Sequence, residues 1–573
     1  MSISSTQYVI VDIETKDLGI GRGEGSHWPL GTVEYLVGAT YSPLHSLKVW
    51  KNSRDLVDYL HTIPVWVGHN ISYDVGVLSQ FGLKPRSHIL EDTMLMAKLH
   101  DNTRLSYGLN DLGKDLLNDS KSNEPLGDAA KALGFVKSKA QNPVKVAMSH
   151  LDEIYKAQPE LVIQYVEQDV MLTNQLYQLF NSEAMDGYDK VFYSDLIKAL
   201  LGSRKKGVRV DVARARTVRN KILEKEVPIR EWLDKEFPGL NVNSAQQMAV
   251  ALKSLGANIP ETDKGNPSVT KAVLETLDIE LAKKVILMRR CEKLRRDFVD
   301  PIIEKFPTAS YGYIYPEIKI FGAAATGRAS AANPNIQQIP KRDKEFGPLI
   351  RSLYVAHEGE TLYSLDFSAQ EPRIQVHYAA RIGCPGAKEL LEAYNQNPRL
   401  DLHGLVAELA DITRDEAKII NLGVAYGMGN NKLADSLKTT LAGAAKIKGK
   451  LASAMPYLMA LDKACKHSIK TKGFIRTVLG RVLRNERGFE SKALNKLVQG
   501  SAADQTWAAI VEAYRQGLLI TFPVHDELVA SFKYSEDAVK LQNIMQTAVP
   551  LLVPSITDIM YGPDWGSMSQ LQV

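Results

Sequence analysis

The stretch Thr361-Leu-Tyr-Ser-Leu-Asp-Phe-Ser-Ala-Gln-Glu-Pro-Arg-Ile374 decides how this chain is read. Its first half has the apolar composition of a buried strand and ends on a carboxylate, Asp366. Ser368 then turns the chain. A helix is expected from Gln370, with Pro372 in its first turn, where a missing N–H costs nothing. An acid at the lip of a buried strand can hold a hard cation against a phosphate. Strand-ending aspartates are common, so the reading turns on a second carboxylate and on cationic groups for the phosphates.

At 573 residues the chain should form several domains, each with its own core. With 45% hydrophobic and 24% charged residues it has the composition of a soluble globular protein. No uninterrupted apolar run is long enough to span a membrane, so no membrane association is expected. The first strand-like run starts at Tyr8, leaving no room for a signal peptide. Cys291, Cys384 and Cys465 are far apart and form no CxxC pair, which suggests neither disulfides nor a zinc ribbon and points to a reducing, intracellular compartment. Net charge is only +4 but uneven. Between Lys463 and Gly500 ten Lys/Arg face Glu486 and Glu490 alone, and Arg289, Arg290, Lys293, Arg295 and Arg296 recur at helical spacing. Basic clusters beside acidic motifs favour a polyanion, of which nucleic acid is the commonest large one.

Outward from Asp366, toward the N-terminus, Tyr8-Val-Ile-Val-Asp-Ile-Glu-Thr15 reads as a central strand. Asp12 and Glu14 are two apart and project from one face, where they repel unless a cation sits between them. Gly68-His-Asn-Ile-Ser-Tyr-Asp74 follows the apolar Val65-Trp-Val67, and Tyr165 and Asp169 stand one turn apart on a helical pattern running to Phe180. Asp12-x-Glu14, Asn70-x3-Asp74 and Tyr165-x3-Asp169, in this order, resemble the DEDD-type 3′→5′ exonucleases in their tyrosine variant. The resemblance implies an RNase H-like α/β fold, two divalent ions held by Asp12, Glu14, Asp74 and Asp169, and Tyr165 orienting the attacking water. The polar stretch 118–143 between the second and third motifs is expected to be a surface insertion with one short helix over Asp128–Leu133.

Toward the C-terminus, Val191–Leu201 reads as a connecting helix and long helical patterns occupy Val212–Phe237, Ala245–Leu255 and Ile286–Phe306, while Phe237 to Gln247 and Asn266 to Leu277 loosely resemble the thumb segments of family A DNA polymerases. Ala325-Thr-Gly-Arg-Ala-Ser-Ala-Ala-Asn-Pro-Asn-Ile-Gln-Gln-Ile-Pro340 resembles the segment that opens the palm in that family, which implies primer–template contacts by Arg328, Asn335, Gln337 and Gln338. Amides and an arginine suit minor-groove edges and phosphates. Thr413 and Glu416 form a capping box, so a helix should begin there, with Arg414 and Lys418 one turn apart. Arg414-x3-Lys418-x7-Tyr426 matches the family's motif B, implying phosphate binding by the two cations and Tyr426 beside the templating base. The second carboxylate stands in Phe522-Pro-Val-His-Asp-Glu-Leu-Val-Ala530, which reads as a β-hairpin tip and matches motif C, implying that Asp366 and Asp526 hold metal. By the same resemblance Glu371 reads the sugar, His403 lies by the dNTP, and Arg481, Asn495, Gln499 and His525 lie near DNA. Leu422 departs from the family, where an aromatic residue is usual. Pro372 also departs, replacing a leucine.

The expected architecture is thus multidomain α/β and α+β: an RNase H-like exonuclease over 1–190, then a right-hand polymerase domain over 191–573. Within the latter, the thumb is expected at about 203–310, the palm at about 311–410 and 485–573, and the fingers at about 411–484. The resemblance implies DNA-directed DNA synthesis with proofreading, two Mg²⁺ at each centre (Mn²⁺ being able to substitute), and primer–template DNA and dNTPs as partners. The compact layout, without a 5′-nuclease domain, resembles bacteriophage replicative polymerases, so a monomer in the cytoplasm of a bacterial host is expected. Replisome partners such as a helicase, single-strand binding protein or processivity factor are left unidentified. The alternative is a 3′→5′ nuclease whose C-terminal part only binds nucleic acid.

Overall fold

The computed structural model describes residues 7–182, 185, 187–262, 264–306, 312–341, 343–425, 428–486 and 488–571. Near the N-terminus, β1 (Tyr8–Lys16), β2 (Glu34–Ser42), β3 (Ser46–Trp50), β4 (Val65–Gly68) and β5 (Ile89–Asp92) form one sheet in the order β3-β2-β1-β4-β5. Strand β1 runs antiparallel to β2 and parallel to β4, and β4 runs parallel to β5. Period-two alternation assigns the two faces of β1. Val9, Val11 and Ile13 pack into one core with Trp28 and Trp66. Tyr8 and Ile10 face the other way, into a core with Val162, Val166 and Val170 of the long helix α2 (Pro159–Ser182). Asp12 and Glu14 share the parity of Tyr8 and Ile10, so they look toward α2. The shorter α1 (Ser72–Ser79) carries Asp74 in its first turn.

The stretch 118–143 lies mostly at the surface, as its polarity suggests, but it is anchored by its helix. Its helix spans Glu124–Ala132, and Leu126, Ala129 and Ala130 are buried in the core beneath α2. The small apolar residues of this segment form a stripe that its many polar neighbours mask in the sequence.

Helix α3 (Lys190–Lys206) bridges the two halves of the chain: Ser194 Oγ accepts from the Leu90 N–H at 2.9 Å, while Asp195 pairs with Arg515 at 2.8 Å. The helices α4 (Val212–Glu236) and α5 (Glu280–Leu294) follow. The basic cluster on and after α5 is largely spent inside the protein: Arg289 donates to the carbonyls of Val242 and Val269, Arg290 pairs with Asp343, and Arg295 pairs with Glu226 and Asp300. These three arginines hold the region together, so they are not an open polyanion surface.

The quoted stretch folds as expected. Strand β6 (Thr361–Phe367) is followed by Ala369 in the left-handed region (φ 49°) and by α6 (Gln370–Arg381). Downstream lie α7 (Arg414–Ala425) and α8 (Ala493–Arg515). Strands β7 (Phe522–Val524), β8 (Glu527–Phe532), β9 (Thr557–Gly562) and β10 (Ser569–Gln570) join β6 in an antiparallel sheet ordered β7-β8-β6-β9-β10. Tyr363, Leu365 and Phe367 pack with Trp507 and Ile510 of α8, which leaves Ser364 and Asp366 on the opposite face.

Arg481 was expected near DNA, but it is 2% exposed. Its guanidinium pairs with Asp504 at 2.5 Å and donates to the carbonyls of Thr326 and Gly500. It therefore ties the 474–484 hairpin to α8 instead of facing a duplex. Gly327 (φ 79°) is required beside it, since a Cβ there would overlap the guanidinium. Asp504→Ala should lower stability by about 3–5 kcal/mol, because it strands a buried cation. The check is chemical denaturation alongside the unmodified chain, with Asp504→Glu as the milder comparison.

Candidate active sites

The first site is built on β1. Its alternation aims Asp12 and Glu14 at α2, which supplies Asp169, and these three carboxylates offer ligand oxygens all within 4.8 Å of one another. Asp74 stands beside them, its Oδ1 accepting the Ile13 N–H at 3.1 Å. Burial dominates the electrostatics. It pushes Glu14 and Asp74 up to about 8, and raises Asp12 and Asp169 as well, the neighbouring carboxylates adding to the shift at Asp12, Glu14 and Asp74. Buried acids that resist ionisation fit a site where a cation would offset their charge. The donors are all hard oxygens, which fits a divalent ion of the magnesium or calcium type. Tyr165, one turn before Asp169 on α2, is itself raised by burial and by that carboxylate. Asn70 adopts φ 65° and donates its backbone N–H to Asp92, the N-cap of the next helix. Asp92 is thus a support that the motif alone does not reveal.

One residue at this site was missed altogether. Lys121, from the 118–143 stretch, contacts Asp169 and sits 3.8 Å from the centroid of the Tyr165 ring. A lysine in a polar loop carries no sequence signal for such a placement.

The second site lies at the edge of the C-terminal sheet. Asp366 is paired across the ladder with Glu527 on β8 and with Asp558 on β9. The β7–β8 hairpin closes with the two-residue turn His525-Asp526, His525 taking the left-handed conformation (φ 58°) that such a turn requires. The Phe367 N–H donates to the Asp526 carbonyl at 3.2 Å, which fixes the tip against β6 and brings the two aspartates together. Burial and the proximity of Asp366 push Asp526 up to about 6, and burial raises Asp366. Glu527 is 3% exposed and acts as a strut, accepting from Ser364 Oγ at 2.5 Å and from Trp565 Nε1 at 2.7 Å. Lys341, unnoticed in the sequence, donates to Asp366 at 2.9 Å. Alternation along β9 could have flagged Asp558, which pairs with Arg399 at 2.8 Å.

Around this pair the other expected residues fall in three groups. Arg328 and Glu371 meet directly, at 2.6 Å. Arg414 opens α7 behind the Thr413–Glu416 capping box, its guanidinium doubly bonded to Asp401 at 2.6 and 3.2 Å, with Lys418 exposed one turn on. His403 keeps a buried Nδ1 without a hydrogen bond, and burial lowers its pKa. Gln337 is buried and donates to the Pro523 carbonyl at 3.3 Å, so it braces the motif C hairpin, whereas Gln338 and His525 are exposed. Asn335, Asn495 and Gln499 are partly exposed. Leu422 belongs to α7, and Tyr426 lies outside the described residues.

Comparison with known proteins gives concordant results. Residues 213–567 match the family described as DNA polymerase family A, and residues 1–184 match the 3′-5′ exonuclease family. A DNA-directed DNA polymerase of Pseudomonas phage M6 is 28% identical over 569 residues, covering 87% of this chain and 83% of its own. DNA polymerase DpoZ of Acinetobacter phage SH-Ab 15497 is 24% identical, covering 98% and 97%. The solved polymerase domain of Pol1 from M. smegmatis, in complex with DNA primer-template and dNTP, superposes with a TM-score of 0.76 at 21% identity, covering 98% of this chain and 96% of that one.

Trp565→Phe removes one of the two donors that satisfy buried Glu527. It should cost about 1–3 kcal/mol, read as a lower unfolding midpoint in denaturant. An unchanged midpoint would mean that Glu527 is solvated by another route.

Proposed function

The chain belongs to DNA polymerase family A and carries a 3′→5′ exonuclease domain, and from that premise we propose which of its residues perform each half of its activity. The activity itself is template-directed DNA synthesis with 3′→5′ proofreading. Enzymes of both kinds use divalent metal ions. Our reading assigns two Mg²⁺ to each centre, on Asp366 and Asp526 for synthesis and on Asp12, Glu14, Asp74 and Asp169 for proofreading. Bound there, paired ions supply charge stabilisation to both the attacking and the leaving oxygen of an in-line displacement.

In synthesis the primer 3′-oxygen forms a bond to the α-phosphorus of the dNTP as the bond to pyrophosphate breaks. Arg414 and Lys418 face the leaving pyrophosphate and offset its growing charge. For this Arg414 exchanges its Asp401 partner for phosphate oxygens, which accept the same planar fork. Glu371 crowds the 2′ position of the incoming sugar, and its contact with Arg328 joins that filter to the duplex-facing segment. In proofreading Tyr165 orients the attacking water. The observation that carries the polymerase assignment is the locked pair: Asp366 at the end of β6 and Asp526 on a hairpin tip bonded to the next residue of that strand. That second carboxylate set also argues against a nuclease whose C-terminal part only binds nucleic acid. We keep the domain partition given above, a monomeric phage-type replicative polymerase in a bacterial cytoplasm, with primer–template DNA and dNTPs as its partners.

Three measurements test this reading. Asp526→Asn should abolish dNTP addition on a primed template while 3′→5′ degradation and DNA affinity persist, and retained extension would refute the motif C assignment. Arg414→Ala should lower the rate of incorporation by about 10²–10³-fold, as for other groups aimed at developing charge, with a normal rate refuting its role. Leu422→Phe should change the ratio of dideoxynucleotide to dNTP incorporation, and an unchanged ratio would show that this position does not read the sugar.

A further inference from the structure

Lysine is among the residues least often buried, because removing an ammonium from water is costly unless it is paired. The Lys121 side chain is 8% exposed. Its ammonium contacts both oxygens of Asp169, whose side chain is equally buried, and the same group stands 3.8 Å from the centroid of the Tyr165 ring. A single cation thus engages both residues of the third exonuclease motif. Asp169 is also one of the three carboxylates whose ligand atoms converge within 4.8 Å. An ammonium and a divalent ion therefore draw on the same pair of oxygens.

The chain around Lys121 shows which part is free to yield. The segment is pinned on one side by Leu112, fully buried, and on the other by Leu126, Ala129 and Ala130 of the helix Glu124–Ala132. Asn118 turns the chain between them in the left-handed conformation (φ 53°). Both anchors lie in the core, and the four-carbon side chain of Lys121 reaches from the loop between them to Asp169. Its ring contact with Tyr165 offers the ammonium a second attraction that does not involve Asp169.

We propose that Lys121 is an exchangeable internal counter-ion of the proofreading site: it neutralises Asp169 in the metal-free enzyme and is driven off that carboxylate when divalent metal binds. The proposal rests on reading Asp12, Glu14 and Asp169 as metal-holding residues. It gives Lys121 a positioning role with two consequences. The metal-free site stays folded despite its crowded acids, and exonuclease action acquires a metal threshold set by the affinity of the lysine for Asp169.

The test uses the complete, unmodified chain and Mg²⁺ alone. Lysines are acetylated briefly with an N-hydroxysuccinimide ester across a MgCl₂ titration, and the peptide carrying Lys121 is quantified by mass spectrometry. Lys121 should be protected without metal and become several-fold more reactive along the same titration curve that activates 3′→5′ degradation. The variant Asp12→Ala with Glu14→Ala should show no such rise. Reactivity that stays at the metal-free level while degradation proceeds overturns the counter-ion role and leaves the metal site intact. Persistent protection with no metal-dependent degradation overturns the metal site, and this proposal with it. As a second arm, Mn²⁺ binding is followed by electron paramagnetic resonance at pH 8.5 in an Asp366→Ala, Asp526→Ala background. Lys121→Met should bind Mn²⁺ several-fold more tightly than its parent, and equal or weaker binding overturns the proposal.

Discussion

Carboxylates crowded together away from water repel one another and resist ionisation, and both candidate centres are built on that tension. At the exonuclease centre four acids meet between β1, α1 and α2, with Glu14 and Asp74 held near 8 by burial above all. At the polymerase centre Asp366 has acidic residues opposite it on both neighbouring strands. Neither arrangement would persist without compensation. Glu527 is satisfied by two donors, Ser364 and Trp565. Lys341 and Lys121 bring positive charge to Asp366 and Asp169. The scaffold keeps its acids close, and on the proposed assignment the remaining neutralisation falls to metal and substrate.

The two centres reach this state by different routes. In the exonuclease site, strand parity supplies two acids from one strand and a helix supplies a third. In the polymerase site, a two-residue hairpin carries the second aspartate, and one backbone hydrogen bond to Phe367 sets its distance from the first. A strand-plus-helix site depends on sheet-to-helix packing. A hairpin-tip site depends on register, because a one-residue slip of β8 against β6 would turn the struts Ser364 and Glu527 away from each other.

Much of this was legible in the sequence because it rests on local periodicity. The i, i+2 spacing of Asp12 and Glu14, the Thr413–Glu416 capping box and the β6-turn-α6 unit each have a short-range signature, and each is found where that signature puts it. What escaped was long-range pairing. A count of basic residues cannot reveal that Arg290 will meet Asp343, or that Arg481 will be enclosed by Asp504 and two carbonyls. Lys121 escaped for the same reason: its partner lies on another element, 48 positions away. The stretch around it is polar and mostly exposed, and composition does not show that Leu126, Ala129 and Ala130 anchor it in the core.

Several contacts between the two halves of the chain run to main chain. Asn102 accepts from the Arg484 N–H at 2.7 Å and donates to its carbonyl at 3.2 Å, while the Arg484 side chain returns to the His100 carbonyl. Glu317 accepts from both the Ser26 N–H and Arg204, at 3.0 and 2.9 Å. Bonds to main chain resist surface mutation, and they hold orientation as well as distance. On the assignment proposed for the two carboxylate sets, a mispaired primer end has to leave one set to reach the other, across a seam that these bonds tie together.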